Sequence, residues 1–269
     1  MSYGIYTGII SRTTDTGDAD RYLTILSTEL GKLECYAKGI RKQKSKLASQ
    51  AGLLSYGEFH MHENGERRIL TSAKAVESFY AIREDVVKCA FATHFLEIAQ
   101  DVIVDSQPFP EALRTLLNAL YALCYRDDLT PEFISRVYEI RILSLAGFLP
   151  LLDNCSICGA GIGAGASFAI FGDGVVCAAP ACKHASGHIV PISGGALSAI
   201  RFVAGCGAGD IFSFEISAAV ATELGAAIPP YLRNQFGKEY DKPDEAERYR
   251  AFEREIMKMN KGIKWTSKQ

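Results

Sequence analysis

Apolar and polar residues alternate along the first eighty residues, and a period of two predicts β-strands. Five segments carry this pattern: residues 4–11, 22–28, 33–37, about 53–62 and about 68–77. Asn64-Gly65, between the last two segments, is a strong hairpin signal because both residue types tolerate positive φ. Five short antiparallel strands of this kind predict a small closed barrel of the OB type over residues 1–80.

The hydrophobic period lengthens to three or four residues from about residue 82, which predicts helices. Five segments show it: residues 82–102, 112–125 and 130–146, and, beyond a glycine-rich stretch, 196–203 and 217–236. Thr130 suits an N-cap and Pro131 the first helical position, while Gly147 suits the helix end. The pattern predicts an α+β chain in which a helical domain (81–150 and 193–240) follows the barrel. A charged tail (241–269) ends the chain.

Two pairs of cysteines, 18 residues apart, stand in the glycine-rich segment 151–192: Cys155, Cys158, Cys177 and Cys182. Two thiolates on a tight turn bind one metal ion together, and a second pair completes a tetrahedron around Zn²⁺. Four sulfur ligands leave no open coordination position. The spacing therefore predicts one structural zinc ion per chain, in a knuckle inserted in the helical domain.

The second cysteine pair has four intervening residues, where a zinc ribbon usually has about two. His184 and His188 follow closely and are alternative ligands to one of the thiolates. Four ordinary cysteines, or two disulfides, are further alternatives. Cys35, Cys89, Cys124 and Cys206 are scattered singly, and we interpret them as small core residues.

Composition limits the classes of function. The chain has 269 residues, 48% of them hydrophobic, and a net charge of −2, so it can build a real core and is no polycation. Nucleic-acid binding would have to come from a local basic patch. The N-terminus lacks a secretory signal pattern and no apolar run reaches the length of a membrane span, so we expect a cytoplasmic protein with reduced thiols.

A local basic patch does occur, in the loop after the third predicted strand. Five cations fall within nine residues: Lys38, Arg41, Lys42, Lys44 and Lys46. Three more stand on the neighbouring hairpin, and two tyrosines offer ring faces for base stacking: Arg67, Arg68, Lys74, Tyr22 and Tyr36. A solvated, flexible surface loop would show the same charge run. Its place on an OB-like barrel favours nucleic-acid binding.

Motifs of enzymes are weak or missing in the sequence. There is no P-loop pattern, His62-Glu63 lacks the second histidine of a zincin, and no His-x-Glu of a zinc deaminase precedes the cysteines. Asp15, Asp18 and Asp20 in the first turn are explained by turn chemistry without a bound cation. The sequence predicts a protein that is not an enzyme, with an unrecognised zinc enzyme as the alternative.

Three blocks of sequence resemble the RecO family of bacterial recombination-mediator proteins. The first joins 22–32 to the basic loop 37–46. The second and most specific is the helix Arg136-Val-Tyr-Glu-Ile-Arg141, then Gly147-Phe-Leu-Pro150, then Cys155-Ser-Ile-Cys158-Gly159. The third is Tyr231-Leu-Arg-Asn-Gln-Phe-Gly-Lys238. The tail, with Lys258, Lys261, Lys264 and Trp265, lies outside the resemblance.

The resemblance implies an OB fold followed by a helical domain with a zinc knuckle, in a protein without turnover. It implies binding to single- and double-stranded DNA, annealing of complementary strands, and a nucleoid-associated location in a bacterial cytoplasm. It further implies that the protein helps RecA replace single-stranded DNA-binding protein (SSB) on gaps, together with RecR. An adaptor whose helical domain binds SSB or RecR, with DNA contact secondary, is the alternative function.

Overall fold

The computed structural model describes residues 2–65, 67–162, 166–172, 174–240 and 250–251. The sequence predictions for the rest of the tail, including its lysines and Trp265, lie outside the described residues. Among the residues described, no helix is both long and apolar enough to cross a lipid bilayer.

The N-terminal residues form a closed five-stranded barrel with the strand order β1-β2-β3-β5-β4. Its strands are β1 (Ser2–Thr16), β2 (Asp20–Ser27), β3 (Gly31–Ala37), β4 (Tyr56–Asn64) and β5 (Arg67–Glu77). All neighbouring strands are antiparallel except β3 and β5, which run parallel and meet at Tyr36 and Ile69. The predicted OB-like barrel and its Asn64-Gly65 hairpin are confirmed.

The fourth strand begins three residues later than the hydrophobic pattern indicated. Leu54 has a φ of 67°, a left-handed conformation that interrupts an extended strand, although its side chain is buried. The long loop between β3 and β4 therefore extends to residue 55. It is held on the barrel by backbone hydrogen bonds, among them Leu54 N–H to Ile10 O at 2.9 Å.

Seven α-helices and one short 3₁₀ helix (Ala208–Asp210) follow the barrel in the described part of the chain. The α-helices are α1 (Tyr80–Arg83), α2 (Val86–Val102), α3 (Pro110–Tyr125), α4 (Pro131–Leu145), α5 (Pro180–Ala185), α6 (Gly194–Gly205) and α7 (Ala218–Phe236). Thr130 caps α4 as predicted, because its hydroxyl accepts the Phe133 N–H at 3.2 Å. Gly147, with a φ of 78°, ends the same helix, and Phe148 N–H donates to Leu143 O.

The cysteine segment contains a small sheet that the sequence did not predict. Strands β6 (Ser167–Ala169), β7 (Val175–Val176) and β8 (Ile189–Pro191) pair in the order β7-β6-β8. Strands of two or three residues are too short for a period of two to be visible in the sequence. The first cysteine turn is hydrogen-bonded to this sheet, because Ser156 N–H donates to Val175 O at 2.9 Å.

Apolar side chains gather in three clusters. One fills the barrel, a second joins the helices to the sheet, and a small third lies beside the cysteines. Ile9, Leu26 and Leu54 of the barrel belong to the helical cluster, so one face of the barrel packs on the helices. The loop after β3, in contrast, is largely exposed to solvent.

Candidate metal centre and nucleic-acid interface

The four cysteine sulfurs of the knuckle lie close enough to share one ion. The sulfurs of Cys155, Cys158, Cys177 and Cys182 are all within 4.8 Å of one another. The Cys158 and Cys177 sulfurs are 3.9 Å apart, and a tetrahedron with metal–sulfur bonds of about 2.3 Å has edges of about 3.8 Å. All eight cysteines are free thiols, which excludes the two-disulfide alternative. The donor set fits a four-coordinate, thiolate-bound metal ion.

A tight turn presents the first pair of thiols. Gly159 takes a φ of 72°, and its N–H donates to Cys155 O at 2.9 Å, which folds residues 155–159 back on themselves. Cys155 N–H in turn donates to Ala160 O at 2.7 Å. Cys155 is buried whereas Cys158 is exposed, so the first pair offers one thiol on the inside and one on the outer surface of the knuckle.

The wide second pair is explained by a helix. Cys177 follows β7 directly, and Cys182 lies on α5, which starts at Pro180. The two extra residues therefore lead into a short helix, and this helix places the Cys182 sulfur close to the Cys177 sulfur. Neither His184 nor His188 belongs to the cluster of ligand atoms found among the described residues.

Electrostatics also suit a cation at this place. Burial opposes ionisation of the Cys155 thiol, but the backbone N–H groups of Cys177, Cys158 and Ile157 lower its pKa to about 6. Hydrogen bonding to Cys158 is the main cause that raises the pKa of Cys182, to about 12. Four thiols this close cannot all ionise unless a positive charge lies between them.

The basic loop after β3 is anchored to the barrel by an apolar side chain. Ile40 is buried in the barrel core, with Ala51 buried and Leu47 packed against the same cluster. The cations flanking Ile40 are turned outward: Lys38, Arg41, Lys42, Lys44 and Lys46 are all exposed. Because Ile40 is buried and the cations around it are exposed, the loop is anchored to the barrel and presents positive charge to solvent.

Two aspartates of the first turn hold the loop in position, a role that the sequence interpretation missed. Asp20 accepts the Tyr36 hydroxyl and the Gly39 N–H, the latter at 2.5 Å. The Tyr36 hydrogen bond is the main cause that lowers the pKa of Asp20. Asp15 accepts Arg21 at 2.5 Å and lies 3.4 Å from Arg41. These contacts involve residues far apart in sequence, so only a strand register could have revealed them.

An aromatic pair lies beside the loop on the β2–β3 face. Tyr22 and Tyr36 are direct neighbours in the register of β2 and β3, with ring centroids 5.3 Å apart. The Arg67 guanidinium, on β5, lies 6.0 Å from the centroid of the Tyr36 ring. The structure thus brings together two ring faces and a cation from three adjacent strands.

The predicted cations differ in their availability. Within the described residues, no carboxylate lies at ion-pair distance from Lys38, Lys42, Lys44, Lys46, Arg67 or Lys74, whereas Arg41 is paired with Asp15. Arg68 is half-buried and 3.3 Å from Glu63, so its charge is already engaged. Lys74 stands opposite Glu58 in the β4–β5 register, five residues beyond Ile69, where β5 meets Tyr36.

Lys46 marks a second part of the same surface. It lines a shallow pocket with Leu47, Thr71 and Ser72, along the β5 strand that carries Lys74. Gln50, also in the loop, accepts the Ala75 N–H at 3.0 Å. The second half of the loop therefore follows β5, and the exposed cations extend from the tyrosine pair along this strand.

Comparison with known families matches nearly the whole chain. Residues 1–79 match the model described as "Recombination protein O N terminal", and residues 83–244 match "Recombination protein O C terminal". The division between the two models falls between β5 and α2, where the barrel ends and the long helices begin.

Named relatives agree with the family models. The chain is 35% identical to "DNA repair protein RecO" of Acetivibrio thermocellus over 244 residues, which is 91% of this chain and 96% of the relative. It is 33% identical to the protein of the same name in Bacillus cytotoxicus over 151 residues, 56% of this chain and 60% of that protein. A protein of Bacillus cereus is 32% identical over the same length.

Proposed function

Because the chain belongs to the RecO family of DNA repair proteins, we propose that it binds single- and double-stranded DNA through the β2–β3 face and the basic loop. The observation that carries the proposal is the group of exposed cations beside Tyr22 and Tyr36, most of which have no carboxylate partner among the described residues. In OB folds the face formed by strands 2 and 3 binds oligonucleotides.

The chemistry of this surface suits DNA of any sequence. Ammonium and guanidinium groups contact phosphates, which carry no sequence information, and rings of tyrosine stack on any base. A surface that neutralises phosphates while leaving base edges free lowers the repulsion between two strands. We propose that annealing of complementary strands follows from this property.

The wider role belongs to the proposal as well. As the family resemblance implies, the protein acts with RecR to help RecA replace SSB on single-stranded gaps. It does so in the bacterial cytoplasm, at the nucleoid, by binding alone and not by turnover of a substrate. The knuckle holds one structural Zn²⁺, because four thiolates in a tetrahedron are the preferred environment of this ion.

A salt titration of two lysine variants tests the phosphate contacts. Lys42 and Lys44 are exposed and make no ion pair among the described residues, so the double substitution Lys42→Glu with Lys44→Glu leaves the Arg41–Asp15 pair intact. We expect weaker binding to all sequences and a salt slope that falls by about 2 on duplex DNA, roughly 0.9 for each lost phosphate contact.

The control for this experiment is Arg114→Glu, which reverses an exposed cation on α3, outside the barrel strands and the basic loop. Affinity and salt slope should stay at the wild-type values in this variant. Wild-type binding by the double lysine variant would instead show that the loop is a solvated surface. Binding of SSB or RecR without binding of DNA would favour the adaptor function.

A tyrosine substitution separates stacking from charge. Tyr22 is 48% exposed and its side chain carries no charge at neutral pH. Tyr22→Ala therefore removes a ring face without changing the salt slope. We expect single-stranded DNA to bind more weakly by about 1–3 kcal/mol, with little loss for duplex DNA, whose bases are already stacked. Tyr121→Ala, an exposed ring on α3, is the matched control. Equal losses for both DNA forms would contradict stacking.

A further inference from the structure

Five side chains, one from each strand, stand side by side around the outside of the barrel. The strand registers pair Tyr22 with Tyr36, Tyr36 with Ile69, Ile69 with His62, and His62 with Tyr3. Directly opposed residues of neighbouring strands lie on the same face of a sheet, and none of these five is buried. They form one row, which we call the cross-barrel row, from the tyrosine pair on β2 and β3 to a second ring pair on β4 and β1.

The second ring pair, Tyr3 and His62, is flat and held in place. The two rings have centroids 4.8 Å apart and planes 11° apart. His62 Nδ1 lies 3.1 Å from Ser2 O, and Nδ1 is the donor because a carbonyl oxygen only accepts. Tyr3 is nevertheless 78% exposed, so the ring face opposite His62 is open to solvent. The pair therefore presents a preorganised ring surface on the outside of the barrel.

Stabilisation of the sheet does not by itself explain this exposure. A cross-strand ring pair stabilises a sheet by about 0.2–1 kcal/mol, and the contribution needs no open ring face. Ile5, two residues after Tyr3 on the same face of β1, is also 58% exposed. Neighbouring exposed apolar side chains are typical of a surface that a ligand covers.

The charges around the cross-barrel row suit an anionic ligand. The row itself contains no carboxylate, and the exposed Arg67 lies 6.0 Å from the centroid of the Tyr36 ring. Lys46, also exposed, lines the shallow pocket on β5. Glu58 on β4 stands two rows away, opposite Lys74. A ligand that follows the row meets rings and cations, which fits single-stranded DNA with its phosphates and uncovered base faces.

The distance between the two ring pairs suits one strand of DNA. Three strand spacings separate Tyr36 on β3 from Tyr3 on β1, which is about 14 Å along the barrel surface. At the nucleotide spacing of a duplex strand, about 3.4 Å, roughly four nucleotides cover this distance. OB folds hold about 4–16 nucleotides of single strand, so both ring pairs fit within one site.

We propose that Tyr3 and His62 form a second base-stacking site, so that one single strand of DNA crosses the barrel from the β2–β3 face to β4 and β1. Tyr3 stacks on a base, and His62 is a positioning residue that holds the Tyr3 ring. Duplex DNA does not use the site, because its base faces are already covered. This inference rests on the proposed DNA binding and adds to it where the strand continues.

A length series of oligonucleotides tests the second site. Fluorescence anisotropy measures binding of labelled oligothymidines of about 4 to 16 nucleotides, and of duplex DNA, to the full chain and its variants. We expect Tyr3→Ala to lower the affinity for the longer single strands at least about fivefold, the smaller loss typical of one stacked base. The shortest strands, duplex DNA and the salt slope should be unaffected. His62→Ala should weaken the same strands, and His62→Phe, which keeps a flat ring, should restore them.

Ile5→Ala is the matched control, because it removes an exposed apolar side chain without a ring from the same face of β1. It should bind every oligonucleotide as the wild type does, and circular dichroism verifies that each variant is folded. Equal losses in Ile5→Ala and Tyr3→Ala would overturn the stacking site. A dimer that becomes a monomer in Tyr3→Ala, at unchanged DNA affinity, would assign this face to a second copy of the chain.

A cross-link on the wild-type protein tests the contact without any variant. An oligothymidine that carries 5-iododeoxyuridine is irradiated in the complex, and the attached peptide is identified by mass spectrometry. Attachment at Tyr3 as well as at Tyr22 is expected. Attachment at Tyr22 alone, with wild-type affinity of Tyr3→Ala at every length, would overturn this inference and leave the proposed DNA binding intact. A wild-type protein that binds no single strand would overturn both.

Discussion

At the residue scale, the most demanding group is a buried carboxylate in the helical core. Glu139 on α4 has no exposed surface, and its Oε1 lies 2.7 Å from His94 Nε2 and accepts the Ser135 hydroxyl at 3.0 Å. Arg136 Nη1 lies 3.0 Å from its other oxygen. A buried charge is tolerated only when partners of this kind surround it.

The pKa of Glu139 shows which influence dominates. Burial alone would raise the pKa, but the charge of Arg136 and the hydrogen bond from His94 lower it below its ordinary value. A depressed pKa in the folded state stabilises the fold at any pH above the unfolded pKa, about 4.3. This contribution is lost as the pH falls through the folded pKa.

Glu139→Gln should therefore destabilise the protein by about 3–5 kcal/mol near pH 7, because the Arg136 charge is left without its partner. Urea unfolding at pH 7.5 and at pH 4 measures the difference from the wild type. We expect the deficit to shrink at pH 4, because Glu139 of the unfolded wild type begins to bind a proton there while the folded carboxylate still resists protonation. Glu34→Gln, an exposed carboxylate on β3, is the control. A deficit independent of pH would contradict the argument.

At the element scale, the loop between β3 and β4 is positively charged and is held in position by a negatively charged residue, Asp20. Asp20 places a negative charge beside a basic surface, which by itself would weaken DNA binding. The same carboxylate holds Tyr36 and the Gly39 N–H. Asp20 therefore has two opposite effects on the proposed DNA surface: it positions the loop, and it lowers the positive charge.

Comparison of Asp20→Ala with Asp18→Ala shows which effect wins. Both variants remove one negative charge from the same turn, but Asp18 is exposed and makes none of the loop contacts found for Asp20. We expect DNA affinity to rise slightly in Asp18→Ala and to fall several-fold in Asp20→Ala, because the loop loses its fixed position. Fluorescence anisotropy with a labelled oligonucleotide measures both. A rise in both variants would show that position is unimportant.

The elements could be predicted from the sequence where a long hydrophobic period or a strong turn signal marks them. The Asn64-Gly65 hairpin and the Thr130 cap of α4 are local features, and the structure confirms both. The strands β6, β7 and β8 are too short to show a period. The roles of Asp20 and Ile40 depend on which strands are neighbours, and that information is not local.

At the scale of the whole molecule, apolar side chains form three clusters: one in the barrel, one that joins the helices to the small sheet, and one beside the cysteines. The cluster beside the cysteines is small, with Cys155, Ala169, Val176 and Cys182 as its buried members. So small a cluster supplies little folding free energy to the cysteine turns, and we expect a bound ion to supply it. The barrel has a core of its own and does not depend on that ion.

Cys155→Ser should reduce the zinc content from one ion per chain and unfold the knuckle while the barrel still binds DNA. Elemental analysis gives the zinc content, hydrogen exchange over residues 151–192 reports the knuckle, and a binding isotherm reports the barrel. Cys206→Ser, a half-buried cysteine outside the cluster, should retain the ion. A wild-type protein that is fully stable without metal would contradict a structural zinc site.

The helix block by which the chain resembles its family is made of buried residues. Tyr138 donates to Phe95 O, and Arg141 donates to Ala204 O, at the end of α6. These residues, like Glu139, hold helices together. A search of genomes that relies on this block will therefore collect chains that share an architecture. The proposed DNA surface rests instead on exposed side chains at positions 38–46, so under that proposal these positions, and not the helix block, separate the chains that bind DNA from those that do not.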